Sequence, residues 1–279
     1  EMIEPFDIKQ YGHNSVKSIQ LMVEAERRSY ADRSEYLGDP DFFNVPKNEL
    51  IDSLYLKKRM ADFDWDKATL SNDIKPGKII FNESEETTHY SIIDKEGNAV
   101  SVTTTLNGSY GSKVYIEDGG YFLNNEMDDF SSKPGVPNMF GLLGSEANSI
   151  LPGKRMLSSM TPTIVEKNKK LFMIVGTPGG STIITSVFQT ILNAYEFDMG
   201  IQESVNAPRF HHQWMPDLVI FEPKQFNLEL ISKLKDKGYN IEEKFSRIIG
   251  RVDAIMIDED GIISTGADYR GDDSSSTLR

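Results

Sequence analysis

Two adjacent threonines, Thr87 and Thr88, follow a short acidic run and begin a β-branched segment. A threonine hydroxyl is a weak nucleophile that needs a base within hydrogen-bond reach, and a threonine at a chain N-terminus can use its own α-amine. That amine exists at Thr87 only if the bond between Glu86 and Thr87 is broken. On spacing alone, the alternative that both are ordinary residues at the start of a strand is favoured.

A glycine-rich turn, Gly-Thr-Pro-Gly-Gly-Ser at residues 176–181, joins an apolar segment to a helical one. Backbone N–H groups are free at a helix start, where the helix dipole favours negative charge. Gly179 and Gly180 allow a substrate carbonyl to approach the backbone closely, as an oxyanion hole requires. A phosphate would also fit such a turn, but no P-loop lysine follows. A plain strand-to-helix turn is the other alternative.

Three carboxylates lie in the loop at residues 124–129, namely Glu126, Asp128 and Asp129. They could hold a calcium ion or a substrate amine, although their spacing does not match an EF-hand loop. A solvated acidic turn is the usual explanation of such a cluster. Ser158 and Ser159, taken alone, are two loop serines.

The pair His211-His212 is predicted to be structural. Adjacent side chains of an extended segment point in opposite directions, and the sequence offers no third ligand for a metal. We therefore predict no metal site, and nothing in the sequence asks for a cofactor.

The composition excludes several classes of function. The chain has 279 residues, 38% of them hydrophobic, which is enough for one large core or two small ones. Its net charge of -13 disfavours nucleic acid and anionic membranes as partners. No apolar run could span a bilayer. Without cysteine there is neither a disulfide nor a thiolate metal site.

The first eight residues lack the features of a signal peptide, and residue 1 is glutamate. We therefore expect the chain to be the later part of a longer precursor, with any targeting signal upstream.

The N-terminal part reads as helical. Apolar residues recur at helical spacing after the caps Asn14 and Ser15, and Pro46 suits the first turn of a second helix. The apolar face of that second helix would consist of Leu50, Ile51 and Leu54. A polar connector is expected at residues 67–86.

From residue 87 onward the pattern changes to hairpins. Strand pairs are predicted at residues 90–105, 163–175 and 251–265, each around a polar turn. Helices are predicted at residues 181–195 and 228–237, the second ended by Gly238. Residues 107–159 form a long loop region, which is usually functional. The fold class is therefore α+β, with antiparallel strands covered by helices.

Several segments, in this order, resemble the small subunit of γ-glutamyltranspeptidases, and residues 25–39 resemble the last helical part of the large subunit. The small-subunit segments are Thr87-Thr88-His89-Tyr90-Ser91, residues 94–107, Leu123-Asn124-Asn125-Glu126-Met127-Asp128-Asp129-Phe130, Leu157-Ser158-Ser159-Met160, Thr177-Pro178-Gly179-Gly180-Ser181 and Asn206-Ala207-Pro208-Arg209-Phe210-His211-His212.

The resemblance implies an N-terminal-nucleophile hydrolase fold, an αββα sandwich of two antiparallel sheets between helical layers. It also implies autocatalytic cleavage, with residues 1–86 belonging to the large subunit and residues 87–279 forming the small subunit. The implied reaction takes the γ-glutamyl group from glutathione or a related amide and passes it through an enzyme ester to water, an amino acid or a peptide.

Residue by residue, the resemblance assigns roles. Thr87 matches the nucleophile, and Thr105 matches a threonine that holds the nucleophile's amine. Gly179 and Gly180 match the oxyanion-hole glycines. The residues that match the binding groups for the substrate's α-amino group are Asn107, Glu126 and Asp129, and those for its α-carboxylate are Ser158 and Ser159.

Two features depart from the family pattern. The family's arginine for the α-carboxylate belongs to the large subunit and is not in this chain, so an upstream large-subunit segment is an expected partner. Several bacterial members carry a tyrosine in the lid loop where this chain has Phe140.

Two alternatives to a γ-glutamyltransferase remain. One is a related acylase or a poly-γ-glutamate hydrolase of the same fold, and the other is a non-catalytic protein that only binds γ-glutamyl compounds. A periplasmic or secreted location is expected by analogy with the family.

Overall fold

The computed structural model describes residues 1–76, 88–242 and 249–276. Its helices are α1 (Val16–Tyr36), α2 (Lys47–Leu50), α3 (Ser53–Arg59), α4 (Thr182–Tyr195), α5 (Ile201–Asn206) and α6 (Leu228–Asp236). Its strands are β1 (Thr88–Ile93), β2 (Ala99–Thr104), β3 (Tyr115–Ile116), β4 (Tyr121–Phe122), β5 (Thr163–Lys167), β6 (Lys170–Gly176), β7 (Phe210–His211), β8 (Val219–Phe221), β9 (Ile241–Glu242), β10 (Asp253–Ile257) and β11 (Ile263–Gly266).

The described residues fall into two compact units. The first unit draws on Glu1–Ser84, Glu126–Ser158 and Phe210–Ser246, and the second on Glu85–Asn125, Ser159–Arg209 and Arg247–Arg279. The first unit combines segments from both sides of residue 86, whereas all described residues of the second unit follow it. Within the described ranges no helix has the length and apolar character needed to cross a membrane.

Helix α1 of the first unit begins as its sequence predicts. The Ser15 hydroxyl accepts from the Ser18 backbone N–H at 3.1 Å, and the Ser18 hydroxyl accepts from the Ser15 N–H at 2.9 Å. This reciprocal capping satisfies donors that a helix start otherwise leaves open. The helix also buries charge, because Arg28 Nη1 lies 2.6 Å from Glu24 Oε2 and both side chains are fully buried.

The prediction of a single second helix is wrong. Asp52 caps a new helix by accepting from the Tyr55 N–H at 2.8 Å, so the segment divides into α2 and α3. Ile51 and Leu54 are 72% and 78% exposed, so the expected apolar face is not buried. An internal residue that can cap a helix competes with continuation of the preceding one.

A small sheet of the first unit has the order β7-β8-β9 and was not predicted. Its strands are two or three residues long, too short for a periodic pattern to be read. Strand β8 pairs antiparallel with β7 and parallel with β9. Helix α6 ends as predicted, with Gly238 at a φ of 95°.

The second unit is layered. Its four-stranded antiparallel sheet has the order β11-β10-β6-β5, and β1 and β2 form a separate antiparallel pair. One face of the larger sheet packs on α4 and α5. This apolar core consists of Met173, Val175, Ile183, Val187, Ala194, Ile201, Val205, Val252 and Ala254.

The β1–β2 hairpin also packs against strand β6. The Ser101 hydroxyl donates to the Val175 carbonyl at 3.3 Å, and the His89 ring lies against the backbone of Gly176. His89 is buried, and its ring nitrogens lie 2.9 Å from the Thr103 hydroxyl and 3.0 Å from the Ser91 hydroxyl. The unit thus stacks hairpin, sheet and helices as three layers.

The three predicted hairpins are all present. The turn between β5 and β6 places Asn168 and Lys169 at φ values of 54° and 62°, as a type I′ turn requires. Helix α4 was predicted correctly, whereas the short helix α5 was missed. The long loop region at residues 107–159 holds only the two-residue strands β3 and β4 and short 3-10 turns.

Candidate active site

A cavity of about 610 Å³ in the second unit brings together residues predicted to act in catalysis. Thr105, Asn107 and Gly179 line it, together with Thr88. Thr88 directly follows the proposed nucleophile in the chain. Thr87 itself lies outside the described residues. The remaining wall comes from Thr104, Leu106, Gly108, Ser109, Tyr110, Pro178, Gly250 and Arg251.

Asn107 is held after the end of β2 by hydrogen bonds to Thr105 and Asn125. Its backbone N–H donates to the Thr105 hydroxyl at 2.8 Å, and its side-chain Nδ2 donates to the Asn125 carbonyl at 3.1 Å. The Gly108 N–H donates to Asn125 Oδ1 at 2.8 Å. Asn107 has a φ of 68°, which asparagine tolerates better than most residues. Its Oδ1 is buried and accepts no hydrogen bond from any described residue, so it can accept from a ligand.

The glycine turn before α4 has the geometry that backbone donors need. Gly179 has a φ of 139° and Gly180 a φ of 66°. A Cβ at Gly179 would lie 2.7 Å from the Thr182 hydroxyl and 3.0 Å from the Gly250 Cα, so a side chain cannot fit. Within the described ranges, neither N–H of this glycine pair donates to another protein atom. Both donors are therefore available to an oxyanion.

A buried ion pair that was not predicted from the sequence holds the segment around Gly250, which packs against this turn. Arg209 Nη2 lies 2.7 Å from Asp268 Oδ2, and its Nη1 donates to the Ile249 carbonyl at 2.8 Å. Asp268 also accepts from the Val252 N–H at 2.9 Å. A Cβ at Gly250 would meet the Ser186 hydroxyl at 2.6 Å. Only the resemblance around Arg209 pointed to this residue, because no local pattern relates it to Asp268.

The acidic residues Glu126 and Asp129 belong to the first unit, where residues Glu126–Asp129 form a 3-10 turn. Asp129 is 2% exposed, and its Oδ1 accepts no hydrogen bond from the described residues. Burial, and then the neighbouring carboxylates of Glu126 and Asp128, raise the pKa of Asp129 to about 8, while Arg33 opposes this shift. Burial also raises the pKa of Glu126. A ligand ammonium would relieve this crowding of acids.

Asn148 links this acidic turn to the segment that carries the serines, and it was also missed. Its Nδ2 donates to the Asp129 carbonyl at 2.6 Å, and its Oδ1 accepts from the Leu157 N–H at 3.0 Å. Ser158 follows in the first unit, and Ser159 belongs to the second unit, where its side chain is buried. A fully buried asparagine between two loops is found only from the tertiary structure.

The loop around Phe140 is an ordered turn of the first unit. Asn138 Oδ1 accepts from the N–H groups of Phe140 and Leu142 at 3.0 and 3.1 Å. Gln213 Nε2 donates to the Phe140 carbonyl at 3.2 Å. The Phe140 ring is half-buried and has no hydroxyl to donate.

The two histidines have protein partners. His211 Nε2 lies 2.9 Å from Gln213 Oε1, and His212 Nδ1 donates to the Leu218 carbonyl at 3.0 Å. Burial lowers the pKa of His212 to about 3. Among the described residues no cluster of histidine and acidic side chains could hold a metal ion.

Comparison with known proteins supports the same assignment. The gamma-glutamyltranspeptidase family model matches residues 1–278. The chain is 47% identical to the glutathione hydrolase proenzyme of Escherichia coli strain K12 over 272 residues. This match covers 98% of this chain and 46% of the relative. It is 45% identical over 267 residues to the glutathione hydrolase proenzyme of Pseudomonas aeruginosa, and that match covers 95% of this chain and 47% of the relative. The chain thus spans about half the length of the curated relatives it matches.

Solved structures show the fold. The gamma-glutamyltranspeptidase from Pseudomonas nitroreducens, complexed with L-DON, is 45% identical with a TM-score of 0.65, covering 69% of this chain and all of that one. The cephalosporin acylase from Bacillus halodurans, at 22% identity and a TM-score of 0.82, covers all of this chain and 49% of that one, and shares the fold. The predicted N-terminal-nucleophile hydrolase fold is confirmed. From its match over residues 1–278 and its 47% identity to a curated relative, this chain belongs to the gamma-glutamyltranspeptidase family.

Proposed function

We propose that this chain carries the nucleophile and much of the substrate site of an autoprocessing γ-glutamyltransferase and glutathione hydrolase. The cavity in the second unit is the observation that carries the proposal. It joins Thr105, Asn107 and Gly179 to Thr88, the residue next to Thr87. The family resemblance assigned Thr105, Asn107 and Gly179 to catalysis and binding, and all three line this one cavity.

The chemistry uses Thr87 after cleavage of the Glu86–Thr87 bond. Its new α-amine takes the hydroxyl proton, and its oxygen attacks the γ-carbonyl carbon of the substrate. The N–H groups of Gly179 and Gly180 stabilise the oxyanion. The amine of the substrate leaves with the proton, and a γ-glutamyl ester remains on Thr87. Water or another amine then attacks the ester and restores the threonine.

The remaining assigned residues bind the glutamyl end of the substrate. Asn107, Glu126 and Asp129 accept from its α-ammonium, a charge-assisted interaction for the two carboxylates. Ser158 and Ser159 donate to its α-carboxylate. This set distinguishes γ-glutamyl compounds from substrates that lack both α-groups, such as the side chain of a β-lactam.

The partners proposed for the reaction are glutathione or other γ-glutamyl compounds, amino-acid or dipeptide acceptors, and an upstream large-subunit segment. We propose no cofactor. Location in the periplasm or outside the cell follows the family analogy alone.

The test is processing and turnover of the full-length precursor. We expect it to split between Glu86 and Thr87 without another protease and to release the chromogenic amine of a γ-glutamyl anilide. Thr87→Ala should remain one uncut, inactive chain in intact-mass analysis. Thr163→Ala, at the first residue of β5, is the matched control and should mature normally.

Two results would contradict the proposal. If Thr87→Ala matures to the same fragments, Thr87 is not the processing nucleophile. If the cleaved wild-type protein binds a γ-glutamyl anilide but does not turn it over, the chain only binds such compounds. Hydrolysis confined to polymers or acyl side chains would favour the related acylases.

A further inference from the structure

Arg251 lines the cavity that holds the proposed catalytic residues. Its side chain is exposed, and among the described residues its guanidinium makes neither an ion pair nor a hydrogen bond. The Asp273 carboxylate interacts electrostatically with Arg251, but its Oδ2 is buried without a hydrogen-bond partner in the described ranges. Arg251 thus lies at the wall of the cavity, and its guanidinium forms no ion pair with a described carboxylate, although Asp273 is near enough to interact with its charge.

The backbone at Arg251 is fixed beside the glycine turn. Its N–H donates to the Thr177 hydroxyl at 2.6 Å, and that hydroxyl donates to the Pro178 carbonyl at 2.6 Å. The preceding residue, Gly250, lies close to Gly179: a Cβ added at Gly179 would be 3.0 Å from the Gly250 Cα. Arg209 and Asp268 hold the residues on both sides of Arg251. The backbone position of Arg251 is therefore fixed relative to the N–H groups of Gly179 and Gly180.

A substrate amide has two ends that diverge from its carbonyl. The proposed function places the carbonyl at Gly179 and the glutamyl end at Asn107, which leaves the amine end for the side of the cavity at Arg251. In glutathione, and in amino-acid or dipeptide acceptors, that end carries a carboxylate. A guanidinium pairs with a carboxylate through two parallel hydrogen bonds.

We propose that Arg251 is a specificity-determining residue that binds the carboxylate of the leaving or accepting amine. This inference rests on the proposed function. In transfer, the acceptor nitrogen attacks the ester carbonyl, a new C–N bond forms and the C–O bond to Thr87 breaks. The proton lost by the nitrogen returns to the threonine oxygen. Arg251 takes no part in these bond changes and holds the acceptor that undergoes them.

The test compares two acceptors that differ in one charge. With a γ-glutamyl anilide as donor, transfer by the mature full-length enzyme is measured to glycylglycine and to glycylglycinamide. The readout is the ratio of the two kcat/KM values. Arg251→Gln should lower this ratio about tenfold, the size of a modest charge-assisted contact. Arg251→Lys should restore part of it, and salt should reduce it in the wild type.

Lys95→Gln is the matched control. It removes one exposed positive charge from the β1–β2 turn of the same unit, and it should leave the ratio as in the wild type. Melting temperatures of all variants report whether the fold is intact.

Three outcomes would overturn the inference. An unchanged ratio in Arg251→Gln would show that Arg251 does not bind the acceptor carboxylate. A raised KM for the anilide with an unchanged ratio would place Arg251 at the glutamyl end of the substrate. A wild-type enzyme that does not turn over the anilide at all would overturn the proposed function, and this inference with it, whereas the first two outcomes leave the proposed function standing.

Discussion

Asp129 shows how one residue can combine a binding role with an unusual proton affinity. Because burial and two neighbouring acids raise its pKa to about 8, the unliganded enzyme keeps this carboxyl largely protonated at neutral pH. A substrate ammonium requires the carboxylate, so binding releases a proton below about pH 8. The same shift means that Asp129 favours the folded state at low pH, and that this contribution is lost as the pH rises from the ordinary aspartate value through 8.

We predict that kcat/KM for a γ-glutamyl anilide rises with pH through a midpoint near pH 8 and levels off above it, since this parameter reports ionisations of the free enzyme. Asp129→Asn should remove that step and lower kcat/KM by about 10–100-fold, as loss of a charge-assisted contact of ~1.5–3 kcal/mol implies. Asp128→Asn is the control and should keep the step while moving its midpoint to lower pH. A step that persists in Asp129→Asn would assign it to another group.

The β1–β2 hairpin sets the position of the residues around Thr88, and its packing on β6 depends on one glycine. His89 occupies the space where a side chain of Gly176 would lie. Burial lowers the pKa of His89 to about 4, so its ring is neutral between the two layers at neutral pH. The hairpin approaches the sheet closely only because position 176 has no side chain.

We predict that Gly176→Ala destabilises the protein by about 1–3 kcal/mol and lowers turnover, because the added methyl displaces the His89 ring and the strand that carries it. Gly200→Ala is the matched control. Gly200 has a φ of -61° and nothing within 4 Å of an added Cβ. Urea unfolding measures both. Equal stability of the two variants would mean that the hairpin is not held by this contact.

At the scale of the whole molecule, apolar surface remains on the hairpin. Tyr90, Ile92 and Val100 are 45%, 52% and 45% exposed. Tyr90 and Ile92 lie on the same face of β1, and Val100 is the cross-strand partner of Ile92. The chain spans about half the length of its curated relatives, so the rest of the enzyme is the expected partner of this face.

We predict that a protein consisting only of residues 1–279 has less than about one hundredth of the anilide turnover of the full precursor, even when folded. Reacting atoms must come within about 3–3.5 Å, and a small displacement of the hairpin is costly. Circular dichroism and the anilide assay on both proteins measure this. Comparable turnover from the shorter protein would show that the remaining segment is dispensable.

The sequence alone determined the long helices, the hairpins and the order of the family segments. Ser15 caps α1, the Asn168-Lys169 pair turns between β5 and β6, and Gly238 ends α6, because each of these acts through bonds within a few residues. The candidate site residues, from Thr87 to Gly180, were proposed from the resemblance of these segments to the family. Cleavage at Glu86–Thr87 and the individual roles stay predictions.

Only the tertiary structure decided which of these residues share a cavity and what supports them. The Arg209–Asp268 pair spans 59 residues, and Asn148 joins loops on both sides of itself. The strands β7, β8 and β9 carry too few residues to show a period, and α2 and α3 divide where Asp52 offers a cap. Long-range pairing of this kind depends on burial and geometry that no short window of sequence contains. For that reason Arg251 became a candidate only once the fold had placed it beside Gly179.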